Sequence, residues 1–232
     1  MQPTKPYQVL LYYKYARLSD LESIQEEQFA LCRKLNLLGR ILIAKEGING
    51  TVSGLAADTE AYMEAMKAHP LFQGIEFKID QHHEHTFNKL HVRIKNEIVH
   101  LGPANQEIDP LEETGKYIEP DEFLKAIKED PENVVILDAR SRYEFELGKF
   151  KHAITFDIEN FRDLPDRLAE IEHLKDKKIL TYCTGGIKCE KASALLMKHG
   201  FKEVYQLHGG IVRYAKETGG EDFDGQCYVF DQ

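Results

Sequence analysis

A chain of 232 residues with 42% apolar and 30% charged residues is longer than one average domain and has the balance of a soluble, core-forming protein. No apolar run reaches membrane-spanning length, and the start, MQPTKPYQVLLYYKYARLSD, lacks the basic-then-apolar order of a secretory signal, so a cytoplasmic protein with no membrane partner is expected. The net charge of −9 excludes a generally basic coat. Residues 1–98 hold 12 Lys+Arg against 12 Asp+Glu and the rest 18 against 27, so a nucleic-acid partner would need a local basic patch, most easily on the neutral first half. From charge alone, a solvated acidic surface is the preferred reading.

The first half alternates element types. Residues 8–13 read as a strand, 21–35 as a helix and 40–44 as a strand; Gly-Ile-Asn-Gly at 47–50 reads as a turn into a strand at 51–53, followed by a helix at 59–69 and a strand at 75–79. The order β-α-β-β-α-β predicts a ferredoxin-like (acylphosphatase-like) α+β domain over 1–98, extended by a strand at 90–95. Residues 99–118 are rich in Gly, Pro and acids without an apolar period and are expected to be a linker, the alternative being a long surface loop within one domain. Glu119-Pro120-Asp121-Glu122 then has the acids and early proline of a helix start. Strands are predicted at 134–137 and 178–182, and helices at 161–171 and 190–199, the latter closing at Gly200. Short apolar strands alternating with helices predict an α/β domain over 119–220, with a parallel sheet covered on both faces, and a C-terminal extension over 221–232.

Ligands of such sheets bind beyond the carboxyl ends of the strands, where Cys183 follows the 178–182 strand directly. The segment KILTYCTGGIKCEKASALLMKHG reads strand, glycine-containing loop, helix. Inward-turned amides and the positive end of the helix both stabilise an anion, so Cys183 is expected to be largely thiolate near neutral pH, the form that attacks or carries a transferred group. Thr184, Gly185, Gly186, Ile187, Lys188 and Cys189 complete the loop; the glycines permit its tight turn, and Lys188 adds positive charge at the rim. The competing reading makes Cys183 a small buried hydrophobe at a strand end. Cys189 is either a resolving thiol or a first-turn helix residue, the second being favoured.

With Cys32 and Cys227 the cysteines number four, too few and scattered for a disulfide scaffold, and the spacing from Cys183 to Cys189 does not fit a zinc site; no metal is expected. His82, His83, His85 and His91 show no strong metal spacing and read as solvent-exposed loop histidines. Lys45, Asn49 and Thr51 are expected in the turn between two strands, able to hold an anion or an RNA backbone or simply shaped for a hairpin. Asp138 and Arg140 are expected to brace the loop from behind, with Arg140 pairing an acid such as Glu144.

The loop Cys183 to Ala192, CTGGIKCEKA, resembles the C-x-G-G-I-R-C-E-K-A signature of the rhodanese-domain tRNA uridine-34 5-hydroxylases. Asp138 and Arg140 in LDAR, Tyr143-Glu144 and Gly148 resemble the family's first rhodanese motif; FRDLP at 161–165 resembles its Phe-Arg-acid-apolar-Pro stretch, VYQLHGGI at 204–211 the rhodanese closing motif and, upstream, AKEGINGT at 44–51 the family's N-terminal signature. This resemblance covers nearly the whole chain. It implies a rhodanese-like second domain and an enzyme that hydroxylates C5 of the tRNA wobble uridine through a loop cysteine. Molecular oxygen is the implied co-substrate, no other cofactor is identified, tRNA is the implied partner and DNA is not. Lys188 stands where the family has Arg, replacing a planar fork with a point charge. His152 occupies a position usually held by Gly, and the stretch GQCYVFD at 225–231 ends the match where many members continue into a cysteine-rich tail, so 221–232 is expected to be truncated relative to the family. Lys45, Asn49, Lys89, Arg93, Lys188, Lys191 and Arg213 are expected to face tRNA, in a cleft opening toward the first domain. Persulfide-based sulfur transfer and a non-catalytic binding module are the alternatives.

Overall fold

The computed structural model describes residues 6–228. It divides into two compact units, one reaching to Val99 and the other starting at His100. Among the described residues no helix is long and apolar enough to cross a membrane.

The first unit contains β1 (Tyr7–Tyr15), α1 (Leu21–Lys34), β2 (Leu38–Ala44), β3 (Gly47–Leu55), α2 (Ala56–Ala68), β4 (Glu76–His82) and β5 (Leu90–Ile94). Its sheet runs β4-β1-β3-β2-β5; the first three pairings are antiparallel, and β5 joins β2 in parallel. The two periodicities that build it are plain. Leu10 and Tyr12 alternate inward from β1, while α1 buries Ile24, Gln28 and Cys32 at steps of four, and α2 buries Thr59, Tyr62 and Met66. α1 starts where the Asp20 carboxylate accepts the Ser23 amide. A polar thread crosses this core: the Tyr12 and Tyr62 hydroxyls meet at 2.5 Å, Tyr62 donates to Gln28 Oε1 at 2.7 Å, and Gln28 Nε2 donates to Met66 Sδ.

The Gly-Ile-Asn-Gly segment is not the predicted turn. Residues 45 and 46 reverse the chain, and Gly47–Gly50 already belongs to β3. The glycines serve close approach instead: at Gly47 (φ +146°) a Cβ would stand 2.1 Å from the Lys14 carbonyl oxygen, and at Gly50 2.3 Å from the Tyr12 hydroxyl.

The second unit contains β6 (Lys116–Ile118), α3 (Pro120–Glu129), β7 (Val134–Asp138), α4 (Arg142–Phe145), β8 (Gly148–Phe150), β9 (Ile154–Thr155), β10 (Lys178–Tyr182), α5 (Ile187–Lys198), β11 (Glu203–Leu207), α6 (Gly210–Thr218) and β12 (Phe223–Gly225). Five strands make a parallel sheet in the order β6-β11-β10-β7-β9, and β8 pairs β12 in a separate antiparallel ribbon. Leu180 and Tyr182 of β10 pack into a core with Phe123 of α3 and with Ile211 and Tyr214 of α6. Thr181, between them, points to the other face and to Cys189 of α5.

Three expected elements differ. The segment read as a linker holds a 3-10 helix, Gly102–Glu107, and ends in β6, tied to α5 by the Gly115 amide donating to Ser193 Oγ at 2.8 Å; with Ile118 as its single buried residue, β6 has no legible period. The helix predicted over 161–171 is two 3-10 helices, Phe161–Asp163 and Pro165–Leu174, because Pro165 lacks the amide that would join them. α5 starts three residues before the predicted 190, with Gly186 at φ +102° before its first turn. His152, in the position usually held by Gly, has φ +61°.

Tyr62→Phe removes the middle of the polar thread and leaves the buried Tyr12 hydroxyl and the Gln28 carbonyl without that partner. A loss of about 1–3 kcal/mol is expected in the urea unfolding free energy, with the sheet intact by circular dichroism.

Candidate active site

Parallel pairing of β10 with β7 and β11 delivers Cys183 to the carboxyl edge of the sheet, between the strand and the first turn of α5. The side chain is only 1% exposed, and its Sγ accepts the Gly186 amide at 3.1 Å. The loop is held from behind: Ile211 N–H donates to the Cys183 carbonyl at 3.0 Å and Val212 N–H to that of Thr184 at 3.1 Å, so the N-terminus of α6 uses its open amides on the loop backbone. Gly210 (φ +64°) is required there, because a Cβ would lie 2.6 Å from the Cys183 carbonyl oxygen.

Burial by itself pushes the Cys183 thiol up. The hydrogen bond from the Cys189 thiol, the charge of Lys188 and the amides of Cys189 and Gly186 together outweigh it and bring the pKa down to about 7. Cys189, itself fully buried, is driven well above the ordinary thiol range, first by burial and then by donating to Cys183. It is a helix residue and the neighbour of the Cys183 sulfur at once.

Lys188 Nζ pairs with the buried carboxylate of Glu144, which also accepts the Ser141 amide at 3.0 Å and lies 3.4 Å from Thr184 Oγ1. Arg140 therefore does not pair with that carboxylate, as the sequence suggested. Its partner is Asp138, two residues back, through Nε at 2.9 Å and Nη2 at 2.7 Å; Nη2 also donates to the Gly148 carbonyl at 2.7 Å. Burial opposes the guanidinium charge, but the Asp138 bonds win and raise its pKa. Tyr182 adds its hydroxyl to Asp138 at 2.5 Å, with its ring against Arg140. The brace comes from β7 and the following turn, and Asp138 binds Arg140 and Tyr182 rather than Cys183.

One contributor had no readable role in the sequence. β12 pairs with β8, the Gln226 amide donates to the Leu147 carbonyl at 2.8 Å, and Thr184 Oγ1 donates to the Tyr228 carbonyl at 3.4 Å, so the C-terminal segment returns to the loop. Cys227 lies near Cys183 and Arg140, its thiol pushed up to about 11 by burial. Gly225 permits the return: at φ +96°, a Cβ would stand 2.3 Å from the Leu147 carbonyl oxygen. Residues 229–231 of the matched stretch lie outside the described residues.

The residues expected to face RNA scatter. Lys191 is fully buried in α5 and offers no charge to a phosphate. Arg213 is claimed by Glu119 at 2.6 Å and Glu217 at 2.7 Å. Asn49 spends its amide on the Ile98 carbonyl at 2.9 Å. Lys45, Lys89 and Arg93 are exposed on the first unit, but Lys45 and Lys89 lie at opposite ends of β2, on the order of 20 Å apart by strand rise. Of the histidines, His85 meets Ser53 Oγ at 3.1 Å and His82 meets Asp80 at 3.2 Å; among the described residues no cluster of His, Cys, Asp or Glu is arranged to hold a metal.

A parallel sheet whose carboxyl edge presents a cysteine in a loop that turns an amide onto its sulfur defines a rhodanese-like domain, and residues 119–217 match the rhodanese-like domain family. Residues 7–98 match the family described as UPF0176 acylphosphatase like domain. Over the chain as a whole, a tRNA uridine(34) hydroxylase of Cytophaga hutchinsonii is 57% identical, across 98% of this chain and 72% of that protein. Proteins of the same name from Bacillus mycoides and Bacillus thuringiensis are 55% and 56% identical, across 100% of this chain and 73% of each. The chain belongs to the tRNA uridine(34) hydroxylase family.

The thiolate absorbance of Cys183 is expected to titrate near pH 7. Cys189→Ala, which removes a donor to the sulfur, and Lys188→Met, which removes the cation, should each move the midpoint upward; an unmoved midpoint in both would show that the loop amides act alone.

Proposed function

We propose that this chain hydroxylates C5 of uridine 34 in tRNA and that Cys183 is its catalytic residue. The observation that carries the role of Cys183 is a buried thiol held near pKa 7 by a second thiol, a lysine and loop amides, in a chain whose relatives are named for this reaction. A tRNA substrate places the activity in the cytoplasm. Thiolate addition at C6 of a uracil ring moves an electron pair onto C5 and O4, making C5 the position that meets an electrophilic oxygen source. With dioxygen as co-substrate, one oxygen atom replaces hydrogen at C5, and the other leaves as water once two electrons and two protons are supplied. Loss of the C5 hydrogen as a proton then breaks the C6–S bond, restores the ring and frees Cys183. Cys183 and Cys189 supply the electrons and protons by closing to a disulfide, which balances the reaction for one turnover; an external thiol reopens it. Cys189 thus acts as donor to the thiolate and as resolving thiol.

Lys188 supports the anion as a point charge, and a forked donor in its place is tolerated or better. Sulfur transfer through a Cys183 persulfide is the second reading, favoured by the same amides, which would hold a terminal sulfur equally well.

Nucleoside analysis of tRNA from a deletion strain tests both. Wild-type protein and Lys188→Arg should restore 5-hydroxyuridine, whereas Cys183→Ser should give none, because its hydroxyl stays neutral. Cys189→Ser should lose multiple turnovers first. Wild-type modification by Cys183→Ser would end the proposal, and thiosulfate-to-cyanide transfer without uridine modification would favour the second reading. Activity should rise with pH through about 7, as the thiolate forms.

A further inference from the structure

The first unit's sheet has one face covered by its own helices and one covered only in part, where His85 and Thr86 lie on Ser53 and the Ile98 carbonyl takes the Asn49 amide. α1 and α2 pack on the side of Leu10, Tyr12, Ile41 and Val52. On the other side the pairing registers set Lys78, Leu11, Thr51, Arg40 and His91 abreast across five strands, and beside that row Glu76, Tyr13, Asn49, Leu42 and Arg93. Arg40 and Arg93 are exposed, and Lys78, Leu11, Tyr13 and Leu42 are partly so.

Solvated sheet faces are usually polar. Here the apolar and aromatic residues Leu11, Tyr13 and Leu42, with Thr51 and Asn49 between them, lie between a lysine on β4 and two arginines on β2 and β5; of the carboxylates, Glu76 and Asp80 lie on the β4 edge and Glu46 is held by the Ile98 amide. Lys78 and Arg40 are three strands apart, about 14 Å at the usual spacing. Lys78 Nζ already lies 4.8 Å from the centre of the Tyr13 ring, which shows that the ring presents a face to a cation. A flat ring flanked by cations matches single-stranded nucleic acid, with bases on the ring and phosphates on the charges. A neutral protein partner would leave the cations unmatched.

We propose that this face is a platform for unpaired nucleotides of the RNA substrate, with Tyr13 stacking a base while Arg40, Arg93 and Lys78 hold phosphates. A stacked base outweighs the exposed cation–π contact it displaces, freeing Lys78 to follow the backbone. The proposal rests on the tRNA reading above and extends it to a surface that shares no residue with the thiol site.

The test is fluorescence polarisation with a labelled anticodon stem–loop RNA at several salt concentrations, run beside tRNA hydroxylation, with fold checked by circular dichroism. The Arg40→Ala/Arg93→Ala double variant should weaken binding at least tenfold and flatten the log–log salt slope by about 1.4, the value for two lost phosphate contacts on a single strand. Tyr13→Ala should weaken it at least fivefold, Tyr13→Phe should recover most of that loss, and the KM for tRNA should rise more than kcat falls. Unchanged affinity and slope in the double variant, while wild-type protein still hydroxylates uridine, would overturn the platform and leave the function standing. If wild-type protein binds RNA through these residues but never hydroxylates it, the platform stands and the function fails. A change in oligomeric state by light scattering, with RNA affinity intact, would reassign the face to a second copy of this chain and overturn the platform.

Discussion

Everything around the loop follows from the difficulty of keeping a sulfur charged where water does not reach. Removal from solvent penalises the thiolate, and no single neighbour here offsets that penalty; a thiol donor, a half-buried lysine and two amides do so together. Those groups count only if the loop cannot relax away from them. The clamp of Ile211 and Val212 on its carbonyls and the absence of a side chain at Gly210 fix it in place. The electrostatics of one atom thus set the geometry of α5, α6 and the turn between β10 and α5.

Asp138 and Arg140 apply the same logic one layer out. A buried ion pair is a poor source of stability by itself, because desolvation consumes most of the attraction. Here the guanidinium also reaches the Gly148 carbonyl, and Asp138 takes the Tyr182 hydroxyl, so the pair knits β7, β8 and β10 at the edge that carries the thiol. Its contribution is definition of shape.

Much of this was legible in the sequence. Periods of two and of about four marked β1, α1 and α2, a short apolar run marked β10, and the strand–Cys–glycine–helix order marked the loop. What escaped notice was non-local. Nothing near Arg140 says that its carboxylate is Asp138 instead of Glu144, because both lie within four residues and only the fold chooses between them. Lys191 reads as a surface cation by residue type, and its burial depends on how α5 is covered. The glycines at 47–50 read as a turn because local propensity cannot see the Lys14 carbonyl that excludes a Cβ at Gly47. The return of residues 226–228 to Thr184 joins segments more than forty positions apart and leaves no local trace.

The pairing of Lys188 with Glu144 carries one more consequence. Lys188 is matched by Glu144 and Arg140 by Asp138, so each of these two cations carries its own counter-charge. A proton lost from Cys183 adds a negative charge beside these two matched pairs. An uncharged ring can approach that charge freely, while a phosphodiester is turned away by it. On the proposed reaction, a charge of that sign favours the base over the backbone beside the sulfur and leaves phosphate binding to other surfaces.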